Sequence, residues 1–146
     1  MNLPAGYRAR HASLDDIDLV DRLFQEVDRA MVGEAESSAV WIKEDWSSDW
    51  VDLATMTRLI FAPGGSVAAY ANFEAVDPRV EVGASGRVHP EHVGKGLGTG
   101  LVGWTETVAA RLIERGASAP LRHSISGADA AARDLLLRAG FERQNS

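Results

Sequence analysis

Cysteine is missing from this chain of 146 residues. Its absence excludes disulfide bridges, thiolate metal sites and a cysteine nucleophile, so covalent chemistry, if there is any, must start from another group. Long apolar runs are missing too. None approaches the roughly 18 residues that a spanning helix needs, and the opening MNLPAGYRARHASLDD lacks the apolar stretch of a secretory signal. Neither a membrane span nor export is therefore expected, and a cytoplasmic protein is. Positive charge is sparse: 15 Lys and Arg stand against 21 Asp and Glu, a formal charge of −6. No basic cluster appears, which argues against nucleic acid or an anionic membrane as partner. The acids gather early, in LDDIDLVD, EAES and KEDWSSDW, and read as a solvated face rather than a docking surface for a cationic substrate.

What is present is one domain, residues 1–146, with 45% hydrophobic residues and no internal repeat or low-complexity segment. A first short strand is expected over residues 7–11. Ser13 followed three residues later by Asp16 resembles a capping box, and a helix should start there. Ile17, Val20, Leu23, Phe24, Val27 and Met31 then make one helical stripe that stops at Gly33. Residues 37–50 predict a second, shorter helix carrying Trp41, Trp46 and Trp50. TMTRLIFA (55–62), the turn APGG and SVAAYANFEAV from Ser66 read as a hairpin. Asp77 and Pro78 turn into a third antiparallel strand, RVEVGASGRV (79–88), which Gly83 and Gly86 should weaken. Leu97, Leu101, Trp104, Val108 and Leu112 recur at helical spacing, with Gly116 where a helix stop belongs. A fifth strand over 119–126 and a closing helix over 128–139, ended by Gly140 and Phe141, complete an α+β sheet with helices on its faces.

The stretch HVGKGLGTG, residues 92–100, places glycine at 94, 96, 98 and 100. Each lowers helix stability by ~1 kcal/mol relative to alanine in a helix interior, yet a helix follows at once. A helix start offers amides without intrahelical partners and roughly half a positive charge, which makes it an anion site. Glycines clear side chains from it and permit positive φ. The anion is not specified by the familiar spacings. Lys95 is followed by Gly96 rather than Ser or Thr, which breaks the P-loop pattern, and Thr99 and Leu101 stand where a dinucleotide GxGxxG would need glycine.

The whole run GRVHPEHVGKGLGTGLVGWTE, residues 86–106, resembles the pyrophosphate-binding segment of the GNAT superfamily of acyltransferases. There a strand ends in an apolar-Val-x-Pro step and a Gly-x-Gly-x-Gly/Ala loop opens a long helix. The element order resembles the family's over about the whole chain, and RAGF (138–141) is similar to the ending of its last helix. A weaker likeness, in LPAGYRARHASLDD and the Gly33-Glu34 pair, points to actinobacterial members near the mycothiol synthase branch. The resemblance implies a GNAT-like mixed, mostly antiparallel sheet. It implies acetyl-CoA as acyl donor, with its pyrophosphate on the loop formed by Val93, Gly94, Lys95, Gly96, Leu97, Gly98 and Thr99, and its pantetheine arm beside the fourth strand near Val88. The implied activity is an N-acetyltransferase in which a small-molecule amine attacks the thioester directly while a backbone N–H of that strand stabilises the oxyanion. Such an amine is protonated at neutral pH and needs a base. The resemblance implies a carboxylate of the fourth strand, here Glu81; Glu74 and Glu34 are the alternatives. His89 and His92, two histidines alone in a loop, are read as solvated rather than metal ligands, and no metal is expected.

Three departures from the family stand out. Val93 replaces the arginine or glutamine that precedes the first loop glycine, which removes a pyrophosphate contact or a loop brace. Leu136 occupies the place of the tyrosine general acid, so thiolate protonation falls to water or another donor, with Ser124 a distant candidate. The family closes its sheet with two strands after the last helix, and here they are short or missing. Either the sequence is cut before them, or a further segment supplies them, or a partner chain, as in a homodimer, covers the fifth strand. Two other functions therefore stand beside the transferase: an acyl-CoA-binding module without turnover, such as half of a two-domain protein, and a structural dimerisation domain.

Overall fold

A computed structural model describes residues 3–48, 51–73, 82–113, 121–124, 136–137 and 140. Strand β1 (Arg8–Arg10) leads through a helical turn, Leu14–Asp16, into α1 (Ile17–Val32), followed by α2 (Ala39–Trp46) and the single turn α3 (Leu53–Met56). Strands β2 (Thr57–Phe61), β3 (Val67–Phe73) and β4 (Val82–Val88) follow, then a helical turn, Pro90–His92, the long helix α4 (Leu97–Ile113) and β5 (Leu121–Ser124). The sheet runs β1-β2-β3-β4-β5. Its first four strands pair antiparallel and β5 lies parallel to β4, so α4 belongs to the crossover that a parallel pair requires. This is the mixed, mostly antiparallel α+β sheet that the sequence predicts.

Side chains alternate across a strand, and the two faces of this sheet take different helices. On one face Leu59 and Tyr70, opposite each other in register, pack with Val20, Leu23 and Val27 of α1 and with Ile42 and Trp46 of α2. The stripe read from the sequence is the buried side of α1, with Ile17, Phe24 and Met31 at its margins. On the other face Ile60, Ala69 and Ala71 receive Leu97 and Leu101 of α4, and Phe73 and Ala84 receive Val108 and Ala109. The small residues let α4 come close: a Cβ on Gly86 would lie 3.4 Å from the Tyr70 carbonyl oxygen and 4.0 Å from Leu101. Gly86, expected to weaken β4, is thus what admits the helix.

Other boundaries shift for local reasons. The predicted second helix is shorter than 37–50, because Ser47 caps α2 after Trp46. Trp46 is core, whereas Trp41, five residues earlier, is exposed; Trp50 lies outside the described residues. β2 starts at Thr57 rather than 55, since the Asp52 side chain accepts the Ala54 N–H and turns 53–56 into helix. Gly116, residues 79–81, most of the closing helix and Phe141 lie outside the described residues. Leu136 and Leu137 are helical within it.

One ion pair fixes the entry to α1. Arg10 donates through both guanidinium nitrogens to the buried Asp16 carboxylate at 2.7 and 2.8 Å, and Asp16 also accepts the Ser13 N–H at 2.9 Å, one half of the box expected from Ser13 and Asp16. The Arg10 hydrogen bonds, against the cost of burial, lower the Asp16 pKa from 3.8 to about 2. A carboxyl more acidic in the folded state stabilises that state in full above its unfolded pKa. The contribution should therefore fade as pH falls from about 4 to 2. Denaturant unfolding across this range should show a shallower acid loss for Asp16→Asn than for the wild type, with the variant less stable at neutral pH.

Candidate functional site

The glycine loop sits where β4 leaves the sheet. The His89 N–H donates to the Ala68 carbonyl at 2.8 Å, carrying the pairing with β3 one residue past Val88. The turn 90–92 closes with the His92 N–H on the His89 carbonyl at 2.8 Å. Then Val93 is extended (φ −66°, ψ 143°), and Gly94 and Gly96 take φ of +84° and +85°. A Cβ on either would meet nothing within 4 Å. The need for glycine here is the left-handed backbone, and the space above it is open. Gly98 and Gly100 lie within α4 instead and leave two of the four positions of its first turn without a side chain. Leu97, 1% exposed, anchors that turn in the core, while Lys95 and Thr99 stay at the surface. The first bond back along the helix is the Gly100 N–H on the Gly96 carbonyl, at 3.1 Å. The amides of 97–99 thus precede any intrahelical acceptor and can receive an anion.

Beside this helix start lies an open strand edge. β5 pairs with Val82, Gly83, Ala84 and Ser85 of β4, and among the described residues no strand flanks 86–88 on that side. Successive N–H groups of a strand point to alternate neighbours. Because the His89 N–H points to β3, that of Val88 points to the open edge, while the Val88 side chain packs with the α4 cluster. On the α1 face, the Ser85 hydroxyl donates to Asn72 at 2.8 Å and the Arg87 guanidinium lies 5.4 Å from the centre of the Phe24 ring. The buried Asp21 of α1 accepts from the Ser38 N–H and the Ser37 hydroxyl, and so ties down the connection to α2.

The histidines are not merely solvated, as the sequence suggested. His89 Nδ1 accepts the Glu91 N–H at 3.1 Å, which leaves the hydrogen on Nε2 to be donated to Glu26 Oε2 at 2.7 Å. His92 Nδ1 shares a hydrogen bond of 2.7 Å with the Tyr7 hydroxyl. Burial, then the charge of Lys95, lower the His92 pKa, so this ring is mostly neutral at pH 7. Nothing local announces these contacts, because the partners lie 63 and 85 residues away. Among the described residues no group of three or more His, Asp or Glu is placed to hold a metal ion, and no described helix is long and apolar enough to cross a membrane.

A GCN5-related N-acetyltransferase (GNAT) from Sphaerobacter thermophilus superposes on the chain with a TM-score of 0.84 and 30% identity, covering 97% of this chain and 45% of that one. The chain has the GNAT fold. It spans less than half the length of the Sphaerobacter protein. A GNAT superfamily phosphinothricin acetyltransferase from Sinorhizobium meliloti, in complex with acetyl-CoA, matches with a TM-score of 0.66 and 20% identity over 96% of this chain and 77% of its own. A GCN5-related N-acetyltransferase from Kribbella flavida matches at 0.69 and 21%, over 95% and 84%. No protein-family model and no curated protein matches the sequence.

Within the GNAT fold, the loop residues 93–99 and Val88 come together at one end of β4. Of the three carboxylates read as bases, Glu81 and Glu74 lie outside the described residues, and Glu34 is exposed just beyond α1. Leu136 is buried, and Ser124 stands opposite Ser85 in the β4 and β5 register. The glycines can be separated by substitution. Gly96→Ala must place a Cβ at positive φ and should cost ~1–2 kcal/mol. Gly103→Ala, at an exposed α4 position whose Cβ would meet nothing, should gain up to ~1 kcal/mol. Chemical denaturation of both variants reads the two signs.

Proposed function

We propose that this chain is an acetyl-CoA-dependent N-acetyltransferase acting on a small-molecule amine. The observation that carries the reading is that the amides opening α4, beyond two glycines in the left-handed conformation, lie next to the open edge of β4. An anion on 94–99 and an extended amide arm beside Val88 would satisfy both sets of backbone groups at once. A pyrophosphate joined to a pantetheine arm has this chemistry, and the acetyl-CoA complex of the Sinorhizobium relative supports the choice. In this reading the loop amides hold the pyrophosphate, the β4 edge aligns the arm, and an N–H of β4 receives the developing oxyanion. The acceptor nitrogen bonds to the acetyl carbon as the carbon–sulfur bond breaks. Glu81 takes the ammonium proton, and water returns one to the thiolate. The acceptor being a small molecule, a cytoplasmic location and pairing with a second copy belong to the same reading. A second reading, acyl-CoA binding without turnover, is favoured by the buried Leu136, which supplies no proton.

A ligand at a hundred times its dissociation constant stabilises its protein by ~2.7 kcal/mol. Acetyl-CoA should therefore raise the melting midpoint by several degrees in the wild type and not in Gly96→Trp, which fills the loop. No shift at millimolar acetyl-CoA would refute the reading. Release of free CoA thiol during an amine screen separates turnover from binding alone. If turnover occurs, Glu81→Gln should lower kcat while leaving acetyl-CoA affinity intact, and its rate should recover as pH rises toward the pKa of the amine. A rate equal to the wild type's at every pH would remove Glu81 from the mechanism.

A further inference from the structure

The turn that carries the glycine loop is held at both ends by side chains from the N-terminal third of the chain. At its start His89 is bonded twice, through Nδ1 to the Glu91 N–H and through Nε2 to Glu26 of α1. At its end His92 is bonded to the Tyr7 hydroxyl just ahead of β1, with the Tyr7 ring edge-on to the imidazole and the centroids 5.6 Å apart. The two imidazoles also meet edge-on, 5.9 Å apart, and the backbone bond between His92 and His89 closes the turn beneath them. Val93, the next residue, is apolar and half exposed and can brace nothing by hydrogen bonding.

We propose that Glu26, His89, His92 and Tyr7 form a clamp that positions the glycine loop for the pyrophosphate, the task that a polar residue at position 93 would otherwise serve. The inference rests on the acetyl-CoA reading and adds to it four residues that do not touch the reacting atoms. Its physical basis is preorganisation. Residues 94–96 have two left-handed glycines and little side-chain packing, so the unliganded loop samples many conformations unless the segment entering it is fixed. Fixing that segment in advance leaves less ordering to be done when the anion binds. The hydrogen-bond pattern of the clamp is consistent with this role. His89 bonds to Glu26 through Nε2–H while its Nδ1 lone pair serves the turn, and neutral His92 can accept the phenolic hydrogen.

The clamp acts on the pyrophosphate end of the donor and not on its acyl end, and this distinguishes it from a general brace of the fold. Tyr7→Phe removes one hydroxyl, and Glu26→Met keeps the length of the side chain but removes the acceptor of the His89 Nε2–H. Binding of acetyl-CoA and of S-acetylpantetheine, which lacks the pyrophosphate and nucleotide, should be measured for both variants by calorimetry or competition. Loss of one hydrogen bond to a positioned loop should weaken acetyl-CoA roughly fivefold to tenfold. S-Acetylpantetheine should stay within twofold of the wild type. Equal weakening of both donors, or no weakening of either, would overturn the clamp. A wild type that binds neither donor would overturn the acetyl-CoA reading as well, whereas unchanged variants of a wild type that binds would overturn the clamp alone.

Discussion

Hydrogen bonding along the last three residues of β4 is the constraint around which this fold is arranged. A buried strand must pair on both edges or leave amides and carbonyls without partners. Among the described residues β4 meets β3 over Ala84–Val88 and β5 only over Val82–Ser85. Beyond Ser85 no described strand lies on that edge, and the chain leaves the sheet there through a proline, a helical turn and two left-handed glycines before α4 begins. Both sets of unpaired backbone groups, at the strand edge and at the helix start, therefore belong to one short segment. A donor that is anionic at one end and amide-bearing along its arm meets both needs, which neither the helix nor the strand meets alone.

The rest of the molecule holds that segment in place. α4 can run close over the sheet because β3 contributes Ala69 and Ala71 and β4 contributes Gly86. Leu97 and Leu101 then seat its first turns in the core, so a helix that begins with weak helix formers is secured by packing and not by propensity. On the other face, α1 supplies Val20, Leu23 and Val27 to the core, and Glu26, between Leu23 and Val27 in the sequence, reaches across to the histidine turn. The same helix thus packs the sheet and holds the turn at the end of β4.

Much of this was legible in the sequence because it rests on local period and local chemistry. The stripes from Ile17 to Met31 and from Leu97 to Val108, the Gly33 stop and the order of the strands follow from spacing that neighbouring residues carry. The end of α2, the start of β2 and the roles of the individual glycines were less legible, because each depends on a cap or a dihedral set by a few atoms, as Asp52 sets β2 by turning 53–56 into helix. The contacts of His89 and His92 were not legible at all. Two histidines flanking a proline look alike whether they meet water or Glu26 and Tyr7, and the difference is made only when distant segments meet. Gly83 and Gly86 look like weaknesses in a strand until the helix that needs Gly86 is in view.

Charge acts on this site at short range. A chain with a formal charge of −6 would repel a multiply anionic cofactor if long-range charge decided its binding. Close to the loop the balance differs, with Lys95 between the two left-handed glycines and the positive end of the α4 dipole just beyond. His92 adds no charge of its own at neutral pH, since burial and Lys95 lower its pKa. An anion seated in the loop would thus be attracted by oriented backbone amides and one lysine, which act over a few ångströms. Such a site depends on loop geometry more than on net charge, and for that reason the segment that fixes the geometry, from Val88 through the histidine turn to Leu97, matters as much as any single phosphate contact.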